Sequence, residues 1–575
     1  MKDPNTFYKT QLEKHQLDLK KFKKKLIGMS SFRLLVFLAT AFGIYATFNI
    51  WQVAVVIGIV GVSGFIFLLS KYTDLKRLRN LSKALVAINE EELKIASGDF
   101  YHRDTGETFQ DSQHYYSLDI DLFGRGSFFQ FINRTRINEG AERLAEALKA
   151  NQIEDIELKQ NAIKELAEKP EWQQQFSAVA TLIEAETPAQ KIISWLNTHV
   201  TFLPKTMKWL PLAFSLASLV VVGLGMFKII DLGFVGYWLL FGLMITGLYL
   251  KKINVLASNT DKVRDTFRQY ALLLNLIEDE TFSSQLLKNK QETIKQEGKK
   301  ASQLFSQFSK HLDALDNRNN LISAIFANGF FLSDLKNAYK IEQWIEKNHT
   351  TVSHWFEVVA FFDAYISLGT YTFNHPEFVF PEIVESKTVI EAINLGHPLL
   401  DKSKRVDSNL DIFNQEFFIV TGANMAGKST FLRTVSLHIV MANTGLPVCA
   451  KSSKYHPVKL ITSMRTSDSL TDDSSYFFSE LTRLKFIVDQ IAKEPYFIIL
   501  DEILKGTNST DKAIGSRKFV EKLVAGNATG IIATHDLSLC EISKELPEVK
   551  NHFFDAIANT PDTTVLILET KLDKD

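Results

Sequence analysis

Residues 417–429 read Phe-Phe-Ile-Val-Thr-Gly-Ala-Asn-Met-Ala-Gly-Lys-Ser, an apolar run followed by a glycine-bounded loop. Gly422 and Gly427 let the backbone curl so that its N–H groups point inward, and a helix beginning near Lys428 adds a positive N-terminal dipole. This arrangement binds phosphates, with Lys428 reaching the β- and γ-phosphates and Ser429 ligating Mg²⁺. With ATP and Mg²⁺ as ligands, the predicted nucleotide-binding residues are Gly422, Ala423, Asn424, Met425, Ala426, Gly427, Lys428, Ser429 and Thr430.

Length, charge and cysteine content limit the classes of function open to this chain. Its 575 residues exceed one compact core, so we expect roughly three or four folded units. The 65 basic and 66 acidic residues almost cancel, so no global field marks nucleic acid as a partner, and any DNA contact has to be local. Cys449 and Cys540 are the only cysteines, which argues against a disulfide framework or a zinc site and fits a reducing cytosol.

Four charge-free runs in the N-terminal half predict two helical hairpins across a membrane. The first pair is 34–50 and 51–70, and the second pair is 209–227 and 232–250. Each run has about the 17 to 25 residues needed to cross the hydrocarbon core. Lysines and arginines bracket both pairs, so the positive-inside rule places every large soluble segment in the cytoplasm. We therefore expect a multi-pass membrane protein, in a bacterium an inner-membrane one; the alternative is a set of buried core helices in a soluble protein.

The remaining N-terminal sequence has a predominantly helical pattern. Residues 138–186 repeat apolar side chains at three- and four-residue spacing. A second helical tract covers 255–371 and contains a lysine- and glutamine-rich stretch at 288–300, either a solvated helix face or a phosphate contact. Pro376 then marks a change to short β-type runs, which places the start of the nucleotide-binding domain near Val379.

Two further apolar runs end in side chains suited to ATP hydrolysis. Residues 496–502 read Tyr-Phe-Ile-Ile-Leu-Asp-Glu, in which Asp501 is expected to hold Mg²⁺ and Glu502 to orient and polarise the attacking water. Residues 530–535 form a similar run that ends in His535, placed to sense the γ-phosphate. A lone histidine at a strand end is usually structural, but strand ends that converge on one nucleotide favour a catalytic role. The predicted catalytic residues are Asp501, Glu502 and His535, and the predicted metal ligands are Ser429 and Asp501.

Four motifs follow one another in the C-terminal part of the chain. They are TGANMAGKST at 421–430, DSLTDDSSYFFSE at 468–480, DEILKGT at 501–507 and ATH at 533–535. In content and order they resemble the ATPase domain of the MutS family of mismatch-repair proteins. The resemblance implies an ATPase that works as a homodimer on DNA, in which Asp468 and Ser475 reach the nucleotide bound by the partner subunit.

Other parts of the chain both extend this resemblance and depart from it. Residues 396–398, Gly-His-Pro, are similar to a short element that precedes the family's ATPase domain, and residues 121–123 and 133–135 resemble the opening of its helical lever. Nothing before residue 118 resembles the mismatch-reading or connector domain. The second apolar pair stands near where the family carries its DNA clamp, and Ala423 replaces the usual proline of the phosphate loop.

The sequence thus predicts a multidomain α and α/β protein with two transmembrane helical hairpins, an all-α lever-like core domain and a C-terminal P-loop α/β ATPase domain. The predicted segments are a cytoplasmic N-terminal segment (1–30), transmembrane hairpin 1 (31–70), a helical cytoplasmic region with the start of the lever (71–205), transmembrane hairpin 2 (206–252), the second part of the lever (253–378) and the MutS-like ATPase domain (379–575).

Three functions are compatible with these features. The first is a membrane-anchored MutS-like ATPase whose nucleotide-driven homodimer rearranges the lever and binds mismatched or structured DNA. The second is the same ATPase acting on a membrane or protein partner without binding DNA, which the neutral charge balance favours. The third is an ABC-type transporter, against which stands the lack of an LSGGQ-like sequence between Lys428 and Asp501.

Overall fold

The computed structural model describes residues 3–182, 188–261, 263–296, 299–316, 321–423, 426–465, 476–505, 507–560 and 563–570. Within these residues, helices make up the N-terminal part and three β-sheets lie further along the chain. The predicted combination of α and α/β parts in a multidomain chain is confirmed.

The first two helices form one long antiparallel hairpin. α1 spans Pro4–Ala46 and α2 spans Trp51–Ala96, so both helices extend far beyond the predicted apolar runs, and the first run ends in the turn at 47–50. Asp3 caps α1 by accepting a hydrogen bond from the backbone N–H of Thr6 at 2.8 Å. Both helices are long and apolar enough to cross a membrane, and the apolar stretch of each is exposed on the outside of the structure.

Short helices separate this hairpin from the second apolar region. They are α3 (Phe128–Ile132), α4 (Asn138–Lys149), α5 (Ile156–Ala167), α6 (Pro170–Thr181) and α7 (Ala189–Thr198). The predicted helical pattern over 138–186 is therefore confirmed for its described residues, as three helices with breaks between them.

The second apolar region is shorter than the prediction of two full spans. It consists of α8 (Leu210–Met226), α9 (Leu232–Gly247) and α10 (Leu250–Asp261). The 17 residues of α8 extend about 25 Å, less than a hydrocarbon core of roughly 30 Å. α9 and the helix after it are bent by 65° at the break between them. The described helices thus supply two candidate spans, or three if the bent pair counts as one, and the predicted four spans are not supported.

The second helical tract surrounds one very long helix. Its members are α11 (Arg264–Asp279), α12 (Gln285–Glu292), α13 (Ala301–Asp316), α14 (Leu321–Phe331) and α15 (Ser333–Asn374). The lysine-rich stretch contains a small antiparallel hairpin of β1 (Lys295–Gln296) and β2 (Lys299–Lys300), which the sequence did not predict. Trp355 and Phe362 of α15 are fully buried in an aromatic core with Phe267 and Phe305, so α15 is the axis of this region.

The described residues of the C-terminal part include two sheets and three α-helices. The strands are β3 (Glu382–Ile383), β4 (Thr388–Leu395), β5 (Ser408–Phe413), β6 (Phe417–Gly422), β7 (Ser452–Tyr455), β8 (Lys459–Ser463), β9 (Tyr496–Asp501), β10 (Thr529–Ala533), β11 (Val549–Thr560) and β12 (Thr563–Thr570). The helices are α16 (Lys428–Thr444), α17 (Tyr476–Ile491) and α18 (Ser509–Ala525).

The larger sheet determines where the predicted site lies. Its strand order is β12-β11-β6-β10-β9-β8, and all neighbours are parallel except β11 and β12. β6, β9 and β10 are almost entirely buried, as expected for central parallel strands covered on both faces. Their carboxyl ends lie side by side, which is where open α/β sheets bind ligands.

Candidate active site

Lys428 lies at the start of α16, directly after Gly427, whose backbone is left-handed at φ 87°. Its Nζ donates hydrogen bonds to the carbonyl oxygens of Gly422 and Ala423, both at 2.9 Å, and lies 3.4 Å from Nε2 of His535. Burial lowers the pKa of Lys428, opposed by the nearby carboxylates of Glu502 and Asp501. The ammonium group is thus held inside the loop, at the positive end of a helix dipole.

Gly422 joins β6 to the phosphate loop at a point where no side chain fits. Its φ is 147°, and a Cβ there would lie 2.5 Å from the carbonyl oxygen of Phe554, its register partner on β11. A larger residue would have to push the two strands apart or alter the backbone. The loop therefore begins at a glycine for a steric reason.

Ser429 and Asp501 place two side-chain oxygen atoms at the foot of this loop. The Ser429 hydroxyl donates to Oδ2 of Asp501 at 2.6 Å, which joins the first turn of α16 to the end of β9. No group of three or more His, Cys, Asp or Glu residues among the described residues has the geometry of a metal site. One hydroxyl and one carboxylate fit Mg²⁺, which typically binds through few protein oxygens and completes its shell with phosphates and water.

Glu502 and His535 are in direct contact. Nε2 of His535 lies 2.6 Å from Oε1 of Glu502. Glu502 has a left-handed backbone at φ 50°, and its N–H donates to the carbonyl of Ala533 at 2.9 Å. A non-glycine residue in this region is uncommon and stores strain that is typical of functional sites. The backbone bond ties the ends of β9 and β10 together, so the two side chains meet in front of the phosphate loop.

These groups line one cavity of about 360 Å³. It is lined by Ala426, Gly427, Lys428, Ser429, Thr430, Asp501, Glu502, Lys505 and His535. The carbonyls of Gly422 and Ala423 contact the same lysine, whereas Asn424, Met425, Asp468 and Ser475 lie outside the described residues.

Lys505 is a cavity residue that sequence reasoning missed. Its Nζ lies 3.8 Å from Oε2 of Glu502, and its backbone N–H donates to Oε2 of Glu480 at 3.0 Å. Glu480 is buried on α17, so its carboxylate joins that helix to the loop after β9. The sequence feature that could have identified Lys505 is its position three residues after Glu502.

Asp121, from the stretch that resembles the lever opening, reaches the helix of the phosphate loop. Its carboxylate lies 3.0 Å from Arg433 on α16 and 2.6 Å from Arg465. Arg465 directly precedes the segment that contains Asp468 and Ser475. Asp121 is therefore linked by charge to α16 and to the stretch after β8, and sequence alone did not indicate either partner.

The C-terminal part of the chain matches a known family of protein domains. A family model described as MutS domain V matches residues 418–574. The C-terminal part of the chain is thus similar to the MutS family. The match to MutS domain V covers β6 to β12, and thus every described residue of the candidate site.

Individual MutS relatives each match about a third of the chain. MutS protein homolog 4 of Homo sapiens is 34% identical over 207 residues, which is 34% of this chain and 22% of that protein. The DNA mismatch repair protein MutS of Methanococcoides burtonii is 32% identical over 200 residues, or 33% of this chain and 22% of that protein. The DNA mismatch repair protein MSH4 of Arabidopsis thaliana is 33% identical over 180 residues, again 22% of its length. The chain thus spans about a fifth of the curated relatives it matches.

Proposed function

We propose that this protein is a membrane-anchored MutS-type ATPase that binds ATP with Mg²⁺, hydrolyses it, and uses the resulting conformational change to act on DNA. The observation that carries the proposal is the convergence of Lys428, Ser429, Asp501, Glu502 and His535 on one cavity. Transfer of a phosphoryl group to water requires a cation at the phosphates, ligands for a metal ion and an acid that orients the water. Lys428 is the cation, Ser429 and Asp501 are the metal ligands, and Glu502, paired with His535, is the acid.

Each side chain has a role that follows from its position. Lys428 exchanges its bonds to the loop carbonyls for bonds to phosphate oxygens, because an ion pair with phosphate is stronger than a bond to a neutral carbonyl. Ser429 and Asp501 would hold Mg²⁺, which neutralises charge on the phosphates. Glu502 accepts a hydrogen bond from the attacking water and orients it, and His535 positions Glu502 through their 2.6 Å contact.

The membrane anchor is assigned to α1 and α2. The apolar stretches of both helices carry large exposed side chains, among them Leu35, Phe42, Val60 and Phe67. Water disfavours such a surface, and a bilayer covers it. With basic residues on the polar halves of the helices, the rest of the chain lies in the cytoplasm.

The polar end of this hairpin rests on the junction between α15 and the sheet region. The Tyr8 hydroxyl donates to Oδ1 of Asn374 at 2.7 Å, and Nδ2 of Asn374 donates to Oε2 of Glu92 at 2.9 Å. Phe7 packs edge-on against Phe373, with ring centres 5.2 Å apart. α1, α2 and the last turn of α15 therefore move together, which couples the membrane to the nucleotide domain.

A homodimer through the nucleotide domain is part of the proposal. Exposed apolar side chains occur on α17, on α18 and just after β10, namely Phe478, Leu481, Ile514 and Leu537. The relatives' names associate MutS proteins with DNA mismatch repair. A second candidate, a switch for a membrane or protein partner without DNA, is favoured by the balance of 65 basic and 66 acidic residues.

The test is DNA binding by the purified full-length protein in detergent, measured by fluorescence anisotropy with matched, mismatched and branched duplexes. We expect binding that weakens steadily with added salt, as phosphate contacts require, and that changes with ATP. The Lys428→Ala variant should bind DNA without responding to ATP. ATP hydrolysis without any salt-dependent DNA binding would instead support the second candidate.

A further inference from the structure

α14 is an apolar helix that lies outside every span predicted from the sequence. Residues 321–332 contain no charged side chain, but the 11 residues of α14 extend only about 16 Å, half of a hydrocarbon core. Its outer side chains Ile325, Phe326 and Phe331 are 37%, 54% and 44% exposed. A surface-exposed helix of this composition is unusual in a protein surrounded by water.

α14 packs on α8 and α9, and each of the three helices has a buried polar side chain, namely Asn328, Ser218 and Thr246. Asn328 of α14 is 5% exposed and accepts a hydrogen bond from the backbone N–H of Asp334 at 2.9 Å. Between α8 and α9, the indole N–H of Trp238 donates to the buried hydroxyl of Ser218 at 2.8 Å. The exposed apolar side chains of α8 and α9 include Leu216, Leu219, Val220, Leu240, Phe241 and Met244.

α14 approaches α9 at backbone distance. A Cβ on Gly242 would lie 2.2 Å from the carbonyl oxygen of Gly329, and a Cβ on Gly329 would lie 2.6 Å from Cγ of Leu239. Close crossings at small residues are the usual way in which helices associate inside a membrane, where apolar side chains gain nothing from leaving lipid. α14 is therefore a fixed part of the α8–α9 unit rather than a neighbour on a loop.

We propose that the outer face of α14, formed by Ile325, Phe326 and Phe331, contacts the lipid bilayer together with α8 and α9. The proposal rests on the membrane anchoring proposed for α1 and α2. Lipid is the favoured partner because α14 packs against α8 and α9, whose outer side chains are also apolar and exposed. Four exposed lysines flank that surface in sequence and suit anionic headgroups, namely Lys205, Lys208, Lys251 and Lys252.

This contact places lipid at the start of the helix that leads to the ATPase. α14 is separated from α15 by the single residue Leu332, and α15 then runs 42 residues, about 63 Å, to Asn374. Asn374 is the residue that contacts Tyr8 and Glu92 of the first hairpin. The long helix thus joins the proposed lipid contact at one end to the polar base of the first hairpin at the other.

The experiment is fluorescence quenching of single labels by spin-labelled phospholipid in vesicles of phosphatidylcholine and phosphatidylglycerol. Full-length protein with Cys449 and Cys540 replaced by alanine receives one cysteine carrying an environment-sensitive fluorophore. Phe326→Cys and Phe331→Cys probe α14, so the test survives if one of them fails to fold. Val60→Cys on α2 is the lipid-facing control, and Glu346→Cys, exposed on α15, is the water-facing control.

We expect the α14 labels to be quenched at least half as strongly as the label at 60, and the label at 346 to be quenched only by aqueous iodide. Labels on α14 that respond to iodide like the label at 346 would overturn the proposal, as would labels shielded from both quenchers by a partner or second copy. A label at 60 that is not quenched by lipid would overturn the anchoring itself, which distinguishes the two failures.

Discussion

Glu92 on α2 and Arg134 form a buried bidentate ion pair, with Nε 2.5 Å from Oε1 and the second guanidinium nitrogen 3.1 Å from Oε2. Their side chains are 3% and 6% exposed. The preceding residue, Glu91, pairs with Arg103 and, at 2.9 Å, with Arg136. The base of the first hairpin is thus fastened by charge to the segment that leads into α4.

Replacing Glu92 by glutamine should destabilise this junction. Arg134 would stay buried without its counter-charge, and breaking a buried pair typically lowers the free energy of unfolding by about 3–5 kcal/mol. Thermal unfolding of the detergent-solubilised protein measures the loss. Glu90→Gln, an exposed position on the same helix, is the control and should unfold like wild type. Equal stability of the two variants would contradict a structural role for the pair.

Lys428→Ala should weaken ATP binding by at least about tenfold. A hydrogen bond to a charged group contributes roughly 1.5–3 kcal/mol, and every 1.4 kcal/mol is a factor of ten in affinity. Binding of a fluorescent ATP analogue measures the change, with the exposed Lys451→Ala as control. If both variants bind the analogue with wild-type affinity, Lys428 does not contact the phosphates.

Asp363 should make stability depend on pH. Burial raises the pKa of Asp363 to about 7, although the backbone N–H groups of Arg136 and Ile137 donate to its Oδ2 and oppose that rise. In the unfolded chain an aspartate loses its proton near pH 3.9, whereas in the folded protein Asp363 keeps its proton up to about pH 7. Between these two pH values the folded state therefore binds one proton more than the unfolded state. The stabilisation is complete below about pH 4 and is lost as pH rises through 7.

The Asp363→Asn variant keeps an acceptor for both N–H groups but cannot ionise. Measured against wild type by thermal unfolding, its relative free energy of unfolding should increase between pH 5 and 8. Glu346→Gln on the same helix serves as the control and should show no such trend. A constant difference between the Asp363→Asn variant and wild type across this range would show that Asp363 is ionised throughout.

The sequence predicted the groups around the cavity because each belongs to a local pattern. A buried strand followed by a glycine loop and a helix fixes where Lys428 points, and the parallel strands that end at Asp501 and Ala533 bring Glu502 and His535 to the same edge. Short-range periodicity was sufficient for these elements.

Long-range contacts and short apolar helices were not predictable in this way. Glu92 and Arg134 are 42 positions apart, and no spacing rule pairs two charged residues on different elements. α14 is too short to score as a membrane span, and its environment depends on how it packs against α9. The sequence predicted two full membrane spans in the second hairpin, because composition alone does not reveal the 65° bend after α9.

Glu502 is proposed to activate the water that hydrolyses ATP. Single-turnover hydrolysis of γ-labelled ATP by the Glu502→Gln variant tests this role most directly. Glu541→Gln, an exposed acid in the same domain, is the matched control. We expect Glu502→Gln to bind ATP with near wild-type affinity while its hydrolysis rate falls by about a hundredfold or more, the range typical of a lost general base. Hydrolysis at the wild-type rate in Glu502→Gln would contradict this assignment.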